Sequence, residues 1–239
     1  MIKLAISGCK GRMGQRITEF ASMDKDFIIT ALLEQEGQAN IGEKVGHVKV
    51  SDDINNIRGC DVLIEFTTPE ATMEALDACI VHQVKMVIGT TGLKDEDRYK
   101  IIEASQTIPI VYSSNMSVGV NLVFKLTEIA ATKTGKDYTA NITEAHHIHK
   151  KDAPSGTAKS LAQIIEDASK KKVADIKSIR EGEIVGDHTV TFEGNEDIIT
   201  ITHHAKSRDI FVKGSLVAAK FLSTKKNGLY NMQDVLGLK

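Results

Sequence analysis

The chain has 239 residues, with 30 basic and 32 acidic side chains, a formal charge of -2, 41% hydrophobic and 26% charged residues. This is the composition of a globular protein long enough for one large domain or two modest ones, and it argues against disorder, collagen and coiled coil. The balanced charge offers no field to recruit nucleic acid or an anionic membrane, and no apolar run approaches the roughly 20 residues that span a bilayer. Small-molecule chemistry is the better default. Met1 to Ser7 is too short and wrongly flanked for a signal peptide, so a cytoplasmic location is expected. Cys9, Cys60 and Cys79 lack paired or metal-type spacing and read as small buried residues rather than a disulfide framework.

From Ile2 to about Ser114 the apolar runs IKLAIS (2–7), FIITALL (27–33), DVLIEF (61–66), VKMVIG (84–89) and IPIVYS (108–113) alternate with helical patterns. Near-continuous β-branched runs suit strands covered on both faces. Between them Met13, Ile17 and Phe20 share a helical face, as do Ala71, Ala75, Leu76 and Cys79, and again Ile101, Ile102 and Ser105. The repetition implies right-handed crossovers and a doubly wound parallel sheet.

After Asn115 the texture changes. Leu122, Val123, Leu126, Ile129 and Ala130 mark a long amphipathic helix, and Tyr138, Ala140 and Ile142 then alternate with Thr139, Asn141 and Thr143 at period two. Further strands are predicted at 174–180, 188–193 and 197–205, separated by Gly182, Gly186 and Gly194. The segment supplies too few helices to cover both faces of such a sheet, so one apolar face is expected to stay open as an oligomer interface. GSLVAAKFLS (214–223) returns to helix, and GLYNMQDVLGL closes the chain as a turn and a short apolar tail. The last thirty or so residues are assigned back to the first domain.

A glycine-rich turn, GCKGRMG, places Gly8, Gly11 and Gly14 between the first strand and an amphipathic helix. Glycines there permit a tight turn and close backbone approach, while the N–H groups of the helix start hold a pyrophosphate, with Arg12 adding charge. The spacing is a variant of the dinucleotide fingerprint, with Cys9 where the commoner form has a glycine. Glu34, about 20 residues after Gly14 and at the end of the second strand, is placed to accept from ribose hydroxyls. The loops GTTG (89–92) and SSNMS (113–117), together with Phe66 and Thr67, lie at the carboxyl ends of later strands, the edge from which such sheets bind ligands.

The densest chemistry is EAHHIHKKDAPSGTAKS at 144–160. If the strand continues through it, His147 and His149 face one side and His146 with Ile148 the other. Lys150 and Lys151 follow. Ser155, Gly156 and Thr157 then lead a helix whose apolar stripe is Leu161, Ile164, Ile165 and Ala168. A helix start with N–H groups and hydroxyls beside lysine and histidine indicates a carboxylate or phosphate substrate, and an imidazole there supplies a proton near neutral pH. A solvated loop and a metal site built on His146, His147, His149, His203 and His204 compete with this reading. Against metal, the segment lacks H-E-x-x-H and clustered cysteines, and adjacent lysines repel a cation.

Taken in order, GCKGRMG, GTTG, NMSVGVN, EAHHIHKKDAPSGTA and GEIVGDHTV resemble the 4-hydroxy-tetrahydrodipicolinate reductase (dihydrodipicolinate reductase) family over essentially the whole chain. The resemblance implies an α/β fold, a Rossmann-like doubly wound parallel sheet with a second α+β domain carrying an open mixed sheet. It implies a dinucleotide-binding domain of residues 1–114 with 209–239, and a substrate-binding and oligomerisation domain of 115–208. It further implies a homotetramer that reduces a cyclic dicarboxylate with NADH or NADPH in the diaminopimelate route to lysine. By the same resemblance the cofactor contacts fall on Gly8, Cys9, Lys10, Gly11, Arg12, Met13, Glu34, Gly89, Thr90, Thr91, Ser113, Ser114, Asn115 and Met116. His146 is implied as the acid/base residue, Lys150 as a proton donor, and His147, Ser155, Gly156 and Thr157 as the substrate-carboxylate site. Gln35 stands where some members carry an arginine that meets a 2′-phosphate, which leaves the choice between NADH and NADPH open. Rival readings are an aspartate dehydrogenase-like enzyme and a non-enzymatic dinucleotide sensor.

Overall fold

A computed structural model describes all 239 residues, which divide into two compact units: Met1–Met116 with Phe211–Gly237 and Lys239, and Ser117–Ile210 with Leu238. No helix is long and apolar enough to cross a membrane.

In the first unit the buried runs become β1 (Ile2–Ser7), β2 (Phe27–Leu33), β5 (Val62–Glu65), β6 (Lys85–Ile88) and β7 (Pro109–Tyr112). The helices between them are α1 (Arg12–Met23), α2 (Pro69–His82) and α3 (Asp95–Ala104). Two short strands, β3 (Lys44–Val45) and β4 (Val48–Ser51), and a third, β12 (Gly228–Tyr230), complete an 8-stranded sheet in the order β12-β7-β6-β5-β1-β2-β4-β3. All neighbours are parallel except the β3–β4 hairpin.

Period-two alternation sorts the strand residues to the two faces. Leu4, Ile6, Val62 and Ile64 pack with Ile17 and Ala21 of α1 and with Val212, Leu216, Ala219 and Leu222 of α6 (Asp209–Ser223). Ala5 and Leu63 turn the other way, onto Ala75, Leu76 and Cys79 of α2 and Ile101 of α3. With both faces covered, the strands have no need of polar alternation. Ile102 is exposed, so the stripe of α3 runs through Ile101, Ala104 and Ser105. The end of the chain is more ordered than its turn-and-tail pattern predicts: β12 pairs with β7, and a capped turn, α7 (Met232–Val235), buries Met232.

The second unit holds α4 (Val118–Thr134), β8 (Thr139–His146), α5 (Gly156–Ser169), β9 (Asp175–Arg180), β10 (Asp187–Glu193) and β11 (Ile198–His204). Its 4-stranded sheet runs β11-β10-β8-β9, with only the β8–β9 pair parallel. Ala140, Ile142, Val190 and Phe192 pack beneath Leu161 and Ile165 of α5 and Val123 and Ala131 of α4. Each large apolar side chain so buried contributes on the order of 1.5 to 3 kcal/mol.

Two expectations need correction. The opposite face of this sheet is partly exposed, but it is largely polar rather than apolar: Asn141 and Thr143 of β8 stand in register with Thr191 and Thr189 of β10 and, beyond them, Thr200 and Thr202 of β11, while Thr139 lies beside Glu193 and, past it, Ile198. The buried face of α4 is also not the one the pattern suggests. Val120, Val123, Thr127 and Ala131 turn inward, whereas Val118, Leu122, Leu126 and Ile129 form an outer stripe 40% to 48% exposed. The helix carries apolar residues on both sides, so periodicity alone does not say which side meets the sheet.

Candidate active site

In the first unit, β5 and β2 flank β1 on opposite sides, which makes the carboxyl end of β1 the topological switch point of the sheet. Gly8 turns the chain there at φ +69°, and a Cβ on it would meet Thr67 Cγ2 at 2.8 Å. Gly14 lets α1 close on the turn: a Cβ there would lie 2.0 Å from the Gly8 carbonyl oxygen. Gly11 caps α1 without a side-chain hydrogen bond, so the N–H groups of the first helical turn point past a backbone with no side chain over it. The turn is tied to the β2 edge by Cys9 N–H donating to the Leu33 carbonyl at 3.1 Å and Lys10 N–H donating to Glu34 Oε2 at 2.9 Å. Gln35 N–H donates to the other Glu34 oxygen at 3.1 Å. Lys10 Nζ pairs with Glu43, just before the β3–β4 hairpin, at 2.8 Å. Burial, assisted by Glu34, pushes the Cys9 thiol up to about 11, so it is an inert packing group at neutral pH.

The loops after β5 and β6 are joined by a residue that the sequence did not single out. Glu65, fully buried at the end of β5, accepts hydrogen bonds from Thr72 Oγ1 and Thr90 Oγ1, both at 2.7 Å, and from Thr67 Oγ1. Thr90 Oγ1 also accepts from Thr67 N–H at 2.9 Å. Burial raises the Glu65 carboxyl, and the threonine hydroxyls only partly offset that. Gly89 lies under the Phe66 ring, where a Cβ would approach to 2.2 Å. Thr91 and Ser114 are exposed beyond these loops, Ser113 Oγ donates to the Asn115 carbonyl at 3.0 Å, and Met116 is buried with its carbonyl against Gly214.

In the second unit β8 stops at His146, so the strand does not carry on through the histidines as supposed; His147, His149 and Lys150 lie on the loop to α5. Glu144 and His146, two apart, share the inward face of β8. Glu144 has no solvent exposure. Arg180, opposite His146 on β9, grips it from NH1 to Oε2 at 3.0 Å and from NH2 to Oε1 at 2.8 Å. Ser155 N–H, at the start of α5, donates to Oε1 at 3.2 Å, and His146 Nδ1 lies 2.5 Å from Oε2. Burial alone would raise the Glu144 carboxyl; hydrogen bonds from Arg180, Ser178 and His146 outweigh it and hold it at about 2. Burial lowers His146, against the pull of Glu144.

Ser155 caps α5, its hydroxyl accepting from Ala158 N–H and meeting His188 Nε2, both at 3.2 Å. His188 stacks edge-on to His146 with ring centroids 5.2 Å apart, and burial, with His146 beside it, brings it down to about 4. The open side of Gly156 and the half-buried Thr157 form the first turn of α5. Half-buried Lys150 pairs with Asp152 at 2.8 Å. His147 Nδ1 is buried with no hydrogen-bond partner. The structure thus gathers His146 and Ser155 on one carboxylate, brings Lys150 near enough to His146 for its charge to be felt there, and leaves His149 outside as an exposed partner of Glu183 at 3.5 Å. No three His, Cys, Asp or Glu side chains converge as a metal-binding set.

Family patterns match both units: "Dihydrodipicolinate reductase, N-terminus" over residues 2–116 and "Dihydrodipicolinate reductase, C-terminus" over residues 119–236. The chain belongs to the dihydrodipicolinate reductase family. It is 41% identical, over an alignment covering all of both chains, to the 4-hydroxy-tetrahydrodipicolinate reductase of Geotalea daltonii. To that of Nitrosomonas europaea it is 40% identical, covering 100% of this chain and 99% of the relative. Among solved structures, a dipicolinate-bound dihydrodipicolinate reductase from Paenisporosarcina sp. TG-14 superposes with a TM-score of 0.85 at 23% identity, over 98% of each chain. An aspartate dehydrogenase from Thermotoga maritima shares the fold more loosely, with a TM-score of 0.56 at 12% identity, over 95% of this chain and 98% of that one.

The Arg180–Glu144 pair makes a defined contribution to stability. Arg180→Ala should leave the carboxylate buried without its counter-charge and cost about 3 to 5 kcal/mol in urea unfolding. Glu144 is depressed from 4.5 to about 2 on folding, so its contribution is complete above pH 4.5 and lost as pH falls towards 2. The stability gap between wild type and Arg180→Ala should therefore narrow across that window; a gap independent of pH contradicts the pairing.

Proposed function

We propose that this chain reduces 4-hydroxy-tetrahydrodipicolinate to tetrahydrodipicolinate with NADH or NADPH, in the diaminopimelate route of lysine biosynthesis. The reading rests on family membership over the whole chain, and one observation carries it at the site. His146 Nδ1 and the Ser155 N–H meet the same Glu144 carboxylate, so an acid/base imidazole and an anion-binding helix start are fixed in one place.

The residues of the first unit fit a dinucleotide. The tight turn that Gly8 and Gly14 permit, the exposed backbone of Gly11 and the uncapped start of α1 match a pyrophosphate, with Arg12 and Met13 beginning the helix and Cys9 and Lys10 leading into it. Glu34, held by two backbone N–H groups, keeps lone pairs for the adenosine ribose. Gly89, Thr90 and Thr91, with Ser113, Ser114, Asn115 and Met116, form the remaining cofactor loops. When bound, the nicotinamide supplies the hydride.

In the second unit the substrate carboxylate rests on the first turn of α5, at Ser155, Gly156 and Thr157, with His147 beside it. Lys150 supplies positive charge, and the single proton that balances hydride addition once water has left the ring comes from the His146–Lys150 pair, with His146 as the acid. The same reading places the enzyme in the cytoplasm, with its soluble cofactor pool. It also assembles this chain as a homotetramer, supported by the partly exposed threonine face of the sheet and the apolar stripe Val118, Leu122, Leu126 and Ile129.

Three measurements test this. With synthase-generated substrate, wild type should oxidise NADH or NADPH, and His146→Gln and Lys150→Ala should each lower kcat about 10²- to 10⁴-fold with NADH affinity near normal; retained kcat in both removes the loop from the chemistry, and activity on oxaloacetate with ammonia instead points to an aspartate dehydrogenase. Glu34→Ala should weaken NADH binding by about 1 to 3 kcal/mol and NADPH binding less, by fluorescence titration; equal losses remove the ribose assignment. Light scattering should give four chains per particle, and a stable monomer at micromolar concentration contradicts the assembly.

A further inference from the structure

We infer that Glu144, locked by Arg180, is a positioning residue that fixes His146 as the tautomer protonated at Nδ1 and leaves Nε2 as the atom that exchanges the proton. The inference rests on the role proposed above for His146.

The argument begins with what Glu144 can and cannot do. Both of its oxygens are taken by the Arg180 fork, Oε1 accepts from Ser155 N–H as well, and the side chain meets no solvent. Such a carboxylate is ionised at neutral pH and has no proton to give. The 2.5 Å contact with His146 Nδ1 is then a hydrogen bond in one direction only, donated by the imidazole. A neutral ring with hydrogen on Nδ1 keeps its lone pair on Nε2.

The surroundings of Nε2 agree. Gly186 lies at its side, where a Cβ would come within 3.1 Å of Nε2 and 3.4 Å of Cδ2, so the absence of a side chain there keeps that edge of the ring clear. The charged and titratable groups around the ring come from every neighbouring element. Arg180 lies on β9, Lys150 on the loop, His188 on β10 and Glu144 on β8 itself. Burial, Lys150 and Arg180 all favour neutral His146; Glu144 alone favours the cation. Asp152 occupies the Lys150 ammonium, and buried His188 is already neutral.

In a turnover, imidazolium His146 gives its Nε2 proton to the reducing ring and becomes the neutral Nδ1–H form, still donating to Glu144. The next proton comes from solvent to Nε2, and Glu144 is never protonated. A carboxylate that served only to hold β8 against α5 would leave both the tautomer and the titration of His146 indifferent to its charge.

The test is histidine-selective ¹⁵N NMR on the full chain, with His146 assigned by its absence in His146→Gln. In the wild type, Nδ1 should be protonated throughout and Nε2 should titrate. In Glu144→Gln, which keeps size and an acceptor oxygen but not the charge, the His146 titration should move to lower pH. The limb of kcat/KM that reports His146 should move with it, kcat should fall about 10- to 100-fold, and KM for NADH should stay within twofold. An Nε2–H tautomer in the wild type overturns the proposal, as does a Glu144→Gln enzyme whose kcat is within twofold and whose limb is unmoved. Should Glu144→Gln fail to fold, the wild-type tautomer decides alone. Should the wild type reduce no substrate, the functional reading fails while the tautomer measurement still decides the positioning.

Discussion

A carboxylate withdrawn from water has to be balanced where it stands, because several kcal/mol of lost hydration cannot be recovered at a distance. Glu144 is balanced by a single guanidinium, and meeting that requirement fixes much else. Arg180 must stand at the end of β9 in register with His146, Ser155 must begin α5 within reach of Glu144, and Arg180 NH2 also donates to the Asp152 carbonyl at 2.5 Å. The loop bearing His147 and Lys150 is thus strung between posts that share one ion pair. Surface loops are mobile by default; this one is anchored at both ends by the same ion pair.

The first unit meets a similar problem without a cation. Glu65, equally buried, is surrounded by three threonine hydroxyls, and its carboxyl is raised instead of lowered. Both carboxylates tie loops to strand ends. The one beside His146 is kept charged, and a charge there favours the imidazolium. The one at the end of β5 is met only by neutral hydroxyls, which tie the backbone of the loops after β5 and β6 together.

The sequence makes the parallel sheet and the helix start at Ser155 legible, because continuous apolar runs and a capped helix leave strong local patterns. The partner of Glu144 lies 36 residues away in a strand whose alternation reports only which side faces in, so nothing local marks Arg180 as its counter-charge. Glu65 ends an apolar run and reads as an ordinary strand terminus; only the fold brings Thr90 to it. On α4 the apolar residues wrap both sides, and the side chosen for the core depends on the β11 edge and α5, which periodicity does not see. β3 and β12 are two and three residues long, too short for any pattern, and β4, although as long as β5, β6 and β7, lacks a continuous apolar run, with Lys49 and Ser51 alternating with Val48 and Val50. The glycine turn and the Ser155 helix start are marked by their residue pattern; the network around His146 follows only from three-dimensional contacts.

The order in which the chain visits its two units carries a consequence for biosynthesis. The first unit is interrupted at Met116 and resumes at Phe211, and its sheet lacks β12 and the covering helix α6 until then. A nascent chain that has just completed β7 therefore holds an unfinished domain, with an unpaired strand edge and the apolar face meant for Val212, Leu216 and Leu222 still uncovered. The second unit, contiguous in sequence, has all of its own strands and helices before the first can close. Ribosomal synthesis thus reverses the positional order, with the inserted unit able to fold while its host waits.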